Sequence, residues 1–342
     1  MEKKRPSLKD IAKRLDVSVT TVSFILNGKG KEKKISDEVI NRVLAYVDEI
    51  KYRPNYVAKS LRTGKTKILV FMVEDIGNYF FARLARIIED LAYEKDYKVI
   101  FCSNENKDQR SRELINIFYE RQVDGFIIIP SSGIKEDIEM LIANNVPVIL
   151  FDRYFPELDT HYVVIDNRKA TYEGTQHLVE MGFSNIGFIT TDVAQTQMSD
   201  RLAGYSQAVA ENSLIQYVLK IPFSETNTER GKKLFQEFLK KNPKMDAVFF
   251  ATNYLTHTGL EVIKENHPHK VYELGIITFD DHDLFKIYSP SISAVAQPLE
   301  EIGKHLMKIM LGLLEGKQIA GSSSKVVLDT KLVVRESSVV NN

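Results

Sequence analysis

The sequence is nearly free of cysteine: Cys102 is the single one in 342 residues, so no intrachain disulfide can form and the chain fits a reducing compartment. Cys102 lies in the apolar run KVIFCSN, the setting of a small buried hydrophobe rather than of a nucleophile. No stretch of about 18 apolar residues occurs, which argues against a membrane-spanning helix. The opening MEKKRPSLKD lacks the apolar core of a secretory signal. Together these absences predict a soluble, cytoplasmic protein. Catalytic constellations are missing as well. There is no metalloprotease pair of histidines on a helix and no nucleophile-elbow glycine pattern, and His267 and His269 merely flank Pro268 in a predicted loop. No metal, no cofactor and no enzymatic activity are therefore expected. Net charge is the last absence: 46 Lys and Arg face 46 Asp and Glu, which taken alone argues against a polyanionic partner.

That average hides an asymmetry. Residues 1–67 carry 17 Lys and Arg against 8 Asp and Glu, a net of +9, which leaves 29 against 38, or −9, for the remainder. A basic head on an acidic body is the charge footprint of a small polyanion-binding domain joined to something else.

The head reads as three helices. Leu8, Ile11, Ala12 and Leu15 recur at the spacing of one helical stripe. Asp16 and Val17 make a turn, and Ser18 can cap a second helix by accepting an otherwise unpaired N–H. At about 100° per residue from Val22, the residues Val19, Ile25 and Leu26 fall on the buried side, while Thr20, Phe24 and Asn27 face outward. A third helix spans Asp37 to Ile50, with Ser36 as its cap and Val39, Val43, Leu44, Val47 and Ile50 as its core face. Arg53, before Pro54, ends the run. A hydroxyl-bearing second helix presented outward is the helix-turn-helix arrangement, in which that helix enters the DNA major groove; a plain three-helix bundle is the alternative.

From Ile68 onward, apolar runs alternate with amphipathic segments: ILVFMV, KVIFC, GFIIIP, VPVILF, YVVID, NIGFIT, AVFFA and ELGIITF. Such alternation predicts parallel sheets wrapped by helices. One sheet holding all these strands would be unusually wide, so two sheets in two lobes are expected. Ligands of open α/β sheets bind beyond the carboxyl ends of the strands, where Asn78, Phe80, Phe81, Asp152, Asp166, Asn253 and Asp280 stand. Between head and body, Asn55 can cap a short helix ending near Leu61. The tripeptide GKT at Gly64 to Thr66 is not a phosphate loop, because Lys59 occupies the place of the required glycine and the strand and helix flank it in reverse order.

In this order, LKDIAKRLDVSVTTVSFILNG, YRPNYVAKSLRTGKT, VDGFIIIP, DRLAGY, FDD and QPLEEIGKHLMKIML resemble the signatures of the lactose-repressor family (LacI/GalR-type) of ligand-responsive bacterial transcription regulators, over essentially the whole chain. The resemblance implies an all-α helix-turn-helix head in residues 1–53, a hinge helix and linker in 54–65, and a two-lobed body in 66–342 built on two doubly wound parallel sheets, like a periplasmic binding protein. It implies a first lobe of about 66–165 and 294–322 and a second of about 166–293 and 323–336. It also implies a homodimer on a near-palindromic double-stranded DNA operator, with Val19, Thr20 and Phe24 at base edges and Ser18, Thr21 and Ser23 at phosphates. Asn55, Val57, Ala58, Leu61 and Arg62 would form a hinge in the minor groove, with Leu61 as an apolar wedge.

For the body, the resemblance implies a small-molecule effector, in keeping with a sugar, held between the lobes by Phe80, Phe81, Asp152, Asp166, Arg201, Phe223, Asn253 and Asp280. Carboxylates, amides and a guanidinium suit adjacent hydroxyls, and aromatic rings cover apolar sugar faces. Asp152 and Asp166 could instead cap helices. Relatives place an acidic residue where this chain has Tyr254, a departure that blurs the ligand class, while Gln195 and Gln197, ahead of Arg201, favour a neutral polar ligand. The chain stops soon after VVRESSVVNN, without a further leucine-heptad helix, so a dimer rather than a tetramer is expected. A free sugar-binding protein and a glycoside-acting enzyme are the rival readings; the basic head and the lack of a signal peptide count against the first, and the lack of a nucleophile, acid or metal constellation against the second.

Overall fold

The computed structural model describes residues 6–53, 60, 63–317 and 324–339. Its contacts divide the chain into two compact units, Met1–Thr66 and Lys67–Asn342. The first unit contains α1 (Leu8–Leu15), α2 (Val19–Leu26) and α3 (Asp37–Glu49). Local chemistry sets each boundary. Ser7 and Asp10 form a reciprocal capping box at the start of α1, and Asp16, left-handed at φ 50°, closes it. The Ser18 and Ser36 hydroxyls accept from the N–H groups of Thr21 and Val39 to start α2 and α3. Ile11, Ala12, Val22, Ile25 and Val43 are the buried centre. Two residues depart from the expected pattern. Val19 and Leu44, both expected on core faces, are 40% and 45% exposed, because so small a bundle buries only a narrow stripe of each helix.

In the second unit, one lobe is entered by β1 (Ile68–Val73), α4 (Tyr79–Tyr93), β2 (Lys98–Ser103), α5 (Asp108–Glu120), β3 (Gly125–Ile128), α6 (Lys135–Ala143), β4 (Val148–Phe151) and β5 (His161–Ile165). The other follows with α7 (Asn167–Glu180), β6 (Ile186–Thr191), α8 (Thr196–Glu211), β7 (Tyr217–Ile221), α9 (Glu229–Lys241), β8 (Ala247–Phe250), α10 (Asn253–Asn266), α11 (Lys270–Glu273), β9 (Gly275–Phe279), α12 (Asp283–Ile287) and β10 (Ser293–Ala296). Then α13 (Leu299–Leu314) returns to pack on α4, and β11 (Lys325–Leu328) and β12 (Lys331–Val333) follow. The sheet orders are β11-β5-β4-β3-β1-β2 and β12-β10-β9-β8-β6-β7. All pairings are parallel except β10 with β12.

This topology corrects the expected lobe boundaries. Ser293–Ala296 pairs with β9 in the second sheet, whereas residues from 294 are expected in the first lobe; Lys325–Leu328 pairs with β5 in the first sheet, whereas 323–336 are expected in the second. Strand register decides the matter: Val295 stands opposite Phe279, and Val326 opposite Val163. The chain passes between the lobes at Asp166, at Gln297–Pro298 and at Asp329–Thr330.

The uninterrupted apolar runs have a direct cause. In β1, Leu69, Phe71 and Val73 enter one core and Val70 and Met72 another. In β8, Ala247 and Phe249 face one side and Val248 and Phe250 the other. A parallel sheet covered on both faces needs apolar residues at every position. Cys102 packs at the edge of such a core, and burial pushes its thiol up to about 12, which makes it inert at neutral pH. No helix among the described residues is long and apolar enough to cross a membrane.

The DRLAGY segment lies on α8. Tyr205 is fully buried, stacks on Phe188 at 4.9 Å and donates to the carbonyl of Ile186 at 2.7 Å. At Gly204 the backbones of α7 and α8 nearly touch: a β-carbon there would strike the carbonyl oxygen of Arg168 and lie 2.9 Å from the Tyr172 nitrogen. Because the obstacle is backbone, it cannot rotate away. Gly204→Ala should therefore lower unfolding free energy by about 3 kcal/mol in urea titrations; a change within experimental error would show that the two helices separate freely.

Candidate functional site

The carboxyl ends of the two sheets face each other across a cleft. The end of β1 supplies Glu74 and Asn78, the end of β4 supplies Asp152 and Arg153, the end of β8 leads to Thr252, Asn253 and Tyr254, and the end of β9 supplies Asp280. Asp152 and Asp280, directly after β4 and β9, are both left-handed, at φ 67° and φ 71°. Aspartate tolerates this conformation better than most side chains.

Two cavities occupy the cleft. The inner one, about 30 Å³, is walled by Phe80, Phe81, Asp152, Arg201 and Asp280, with Met198 and Gln297. The outer one, about 470 Å³, is walled by Phe223, Thr226, Asn253, His257, Lys232 and His282 among others. Glu74, Asn78 and Tyr254 belong to both walls.

Arg201 is held rigidly. Its guanidinium donates to Asn167 Oδ1 at 2.8 Å and to the Ala251 carbonyl at 2.7 Å, and lies 3.5 Å from the centre of the Phe279 ring. Gln297 donates to Asp280 Oδ1 at 2.6 Å. Burial raises the Asp280 carboxyl to about 6, against the opposing pull of Arg201 and of the Gln297 hydrogen bond. Burial also raises Asp152 and Glu74, in each case opposed by Arg153.

The lobes are joined by side chains. Arg153, 3% exposed, pairs with Glu74 at 3.1 Å and donates to the Pro130 carbonyl at 2.7 Å and Asn106 Oδ1 at 3.1 Å within its own lobe. It reaches across to Gln195 Oε1 at 2.7 Å, and Gln195 donates back to Asn106 at 2.7 Å. Asn78 and Asn253 exchange two amide hydrogen bonds of 3.1 Å. Tyr79 donates to Asp283 at 2.6 Å, with its ring 3.9 Å from that of His282.

Of the expected cleft residues, Phe80, Phe81, Asp152, Arg201 and Asp280 come together at the inner cavity, and Phe223 and Asn253 at the outer one. Asp166 lines neither: its carboxylate accepts from the Lys169 N–H at 2.9 Å and caps α7. Asp152 caps none of the described helices. Sequence reasoning missed Arg153, Glu74, Asn106 and Gln297; the available signal was strand-end position, since Glu74 and Gln297 directly follow β1 and β10 and Arg153 follows the strand-end Asp152. In the head, Ser18, Val19 and Thr20 are exposed at the start of α2, with Thr21 and Ser23 half-buried. Phe24 is also half-buried, not fully outward; the Lys33 ammonium lies 5.6 Å from its ring centre, and Phe24 does not join the head's core. Asn55, Val57, Ala58, Leu61 and Arg62 lie outside the described residues.

A small helix-turn-helix unit followed by a two-lobed, cleft-bearing α/β body defines a ligand-responsive DNA-binding regulator. Residues 7–55 match the family described as bacterial regulatory proteins, lacI family, and residues 175–338 match the periplasmic binding protein-like domain. The regulator RegA of Clostridium saccharobutylicum is 28% identical over 97% of this chain and 99% of its own length. The ribose operon repressor of Halalkalibacterium halodurans is 28% identical over 97% of each chain. Among solved structures, the Lac repressor dimer bound to operator and the anti-inducer ONPF matches 98% of this chain and 100% of its own with a TM-score of 0.81, at 19% identity. The chain belongs to the lacI family of bacterial regulatory proteins; it is a DNA-binding transcription regulator and not an enzyme.

The raised Asp280 carboxyl sets the sign of a pH effect. The unfolded chain ionises this group near its ordinary value of 3.8, whereas the folded cleft keeps it protonated to about 6. The folded state thus binds the extra proton between those values, and stability falls as pH rises through that window. Asp280→Asn should flatten the fall by up to about 3 kcal/mol in denaturation between pH 4 and 7. An unchanged pH profile would mean that the carboxylate is ionised and solvated in the fold.

Proposed function

We propose that this chain is a cytoplasmic repressor that binds a near-palindromic operator as a homodimer, and that a sugar bound between its lobes weakens that binding. Residues 1–53 act as the DNA-binding head, 54–65 as the hinge, and 66–342 as the effector-binding and dimerisation body. The observation that carries this reading is the cleft itself: polar, aromatic-walled, set at the carboxyl ends of two sheets and bridged by hydrogen bonds that separate if the lobes part. Such a cleft has distinct open and closed arrangements, and a ligand that favours one shifts the balance between them. A relative named as a ribose operon repressor supports a polyhydroxylated effector.

In the head, Val19, Thr20 and Phe24 are assigned to base edges and Ser18, Thr21 and Ser23 to phosphates; the net charge of +9 over residues 1–67 supports phosphate attraction. The hinge roles of Asn55, Val57, Ala58, Leu61 and Arg62 rest on the family resemblance. In the cleft, Phe80, Phe81, Asp152, Arg201, Phe223, Asn253 and Asp280 are assigned to the effector, while Asp166 serves α7.

Effector control is tested with operator DNA and a sugar panel. A sugar that raises the melting temperature should also release the operator from the wild-type protein. Arg201→Ala should lose both responses while still binding operator, with Asp280→Asn as the nearly isosteric companion. If neither variant changes the response to a sugar that acts on the wild type, the cleft is not the effector site.

Phe24 has its own test. Arginine at this place could pair with guanine O6 and N7, whereas phenylalanine offers only an apolar surface suited to the thymine methyl. Operators selected by Phe24→Arg should gain a guanine at one symmetric pair of positions, worth about 1–3 kcal/mol per bidentate contact. Recovery of one operator by wild type, Phe24→Arg and Phe24→Ala would make Phe24 a packing residue paired with Lys33.

A further inference from the structure

Three stretches of chain join the lobes, and two of them carry an amide side chain that hydrogen-bonds a charged residue of the cleft. The first leaves β5 at Ile165, passes Asp166 and enters α7 at Asn167; the second leaves β10 at Ala296 and reaches α13 through Gln297 and Pro298. Asn167 is 4% exposed, and its Oδ1 accepts from Arg201 Nε at 2.8 Å. Gln297 is half-buried, and its Nε2 donates to Asp280 Oδ1 at 2.6 Å. Arg201 and Asp280 are the two charged side chains that the second lobe contributes to the inner cavity, whereas Glu74 and Asp152 come from the first. Each charge of the second lobe thus has one partner rooted at a crossing.

The place of these amides matters because lobe motions are absorbed there. When two rigid lobes rotate, the change in φ and ψ falls on a few residues at the ends of elements. Asn167 bridges one such point: while its Oδ1 serves Arg201, its Nδ2 donates across Asp166 to the Ile165 carbonyl at 3.3 Å. Ile165 belongs to the first lobe's sheet and Arg201 to α8 of the second lobe. Rotation at Asp166 moves the Ile165 carbonyl relative to α7, so the amide must stretch one bond or turn from the other. The same crossing is tied to the third: the Asp166 N–H donates to the Leu328 carbonyl at 3.0 Å, and Lys169 pairs with Asp329 at 2.8 Å. Gln297 stands between Ala296, paired with Lys331 in the second sheet, and Leu299, which opens α13 on the first lobe. Rotation of the backbone between them swings its carboxamide against Asp280. An amide suits this task, since it offers both a donor and an acceptor without placing a charge at the crossing.

We propose that Asn167 and Gln297 are positioning residues for effector control, each tying the angle between the lobes to one charged side chain of the cleft, Asn167 to Arg201 and Gln297 to Asp280. A ligand that fixes the guanidinium and the carboxyl then favours one lobe angle, and by linkage the angle that suits operator binding alters the ligand's affinity. This rests on the cleft being the effector site.

Measuring binding and coupling separately tests it. The full chain is titrated calorimetrically with D-ribose, D-xylose, D-glucose, D-galactose, maltose, cellobiose, lactose and sucrose, and operator affinity is measured without sugar and at saturation with each one that binds. Asn167→Ala and Gln297→Leu should still bind operator without sugar, which reports folding. The ratio of their operator affinities without and with saturating sugar should be smaller than the wild-type ratio by about fivefold or more, the lower end of usual allosteric couplings. Asn167→Asp, which keeps an acceptor for Arg201 but removes the donor to Ile165, should lose coupling in the same way. The two crossings are probed independently, so a folding defect in one variant leaves the other to decide. Variants that bind the sugar more weakly yet release operator as fully as the wild type at saturation would make the amides plain supports of the ligand site; that result overturns the inference and leaves the sugar reading standing. So do variants indistinguishable from the wild type. Silence of every sugar in both titration and operator release overturns the sugar reading, and the inference falls with it.

Discussion

The cleft depends on how Arg153 is satisfied. A buried guanidinium is tolerable only when nearly all its donors have partners, and Arg153 has one carboxylate, Glu74, on its own lobe. Pro130 and Asn106 take two further donors, and Gln195 of the opposite lobe shares the donor directed at Glu74. Parting the lobes would remove Gln195 but would also admit water to replace it. Closure therefore exchanges hydration for a neutral amide rather than exposing an unpaired charge. Had the carboxylate been on the second lobe, opening would have stranded two buried ions and the cleft would be locked.

The same economy governs the other bridges. Asn78 and Asn253 exchange equivalent bonds, and each amide finds water equally well when apart. Tyr79 and Asp283 meet at an exposed edge, where one such bond is worth about 1 kcal/mol or less. None of these contacts is strong alone. Their total is of the order of a few kcal/mol, comparable with the roughly 2.7 kcal/mol that a ligand supplies at a hundred times its dissociation constant. Polar bridges that are individually weak, with no salt bridge among them, can be shifted by a small molecule.

How far the sequence disclosed this depends on what kind of information each feature needs. Central strands such as ILVFMV and AVFFA were legible because both faces of a covered parallel sheet demand apolar residues. The strands at 217–221, 293–296, 325–328 and 331–333 carry no comparable signal, being short or partly exposed, as YVLKI, KVVL and KLV show. Two of them moved the lobe boundary. Asp152, Asn253 and Asp280 were legible as polar residues at strand ends. Asp166 had the same signature, yet it caps a helix, because strand-end position does not tell which way a carboxylate turns. Helical periodicity misplaced Val19 and Leu44 because it ranks faces without knowing how much partner surface exists. Glu74 and Arg153 could not be paired by any local rule: they are 79 positions apart in the chain and meet only because β1 and β4 end at the same edge.

Tyr254 shows the limit of carrying a family pattern across. The resemblance marks it as a departure, but only the geometry gives the departure a physical meaning. The side chain is half-buried, its hydroxyl held protonated by desolvation and by the field of Glu74, and it stands in the walls of both cavities. A carboxylate there would add a fourth acid beside Glu74, Asp152 and Asp280, each of which burial already makes harder to ionise. Tyrosine keeps a hydroxyl at the cleft without that charge, and its ring takes up the space that a smaller acid would leave open. The departure thus leaves three buried acids rather than four at the strand ends, with an aromatic ring alongside Glu74 and Asn78 in the walls of both cavities.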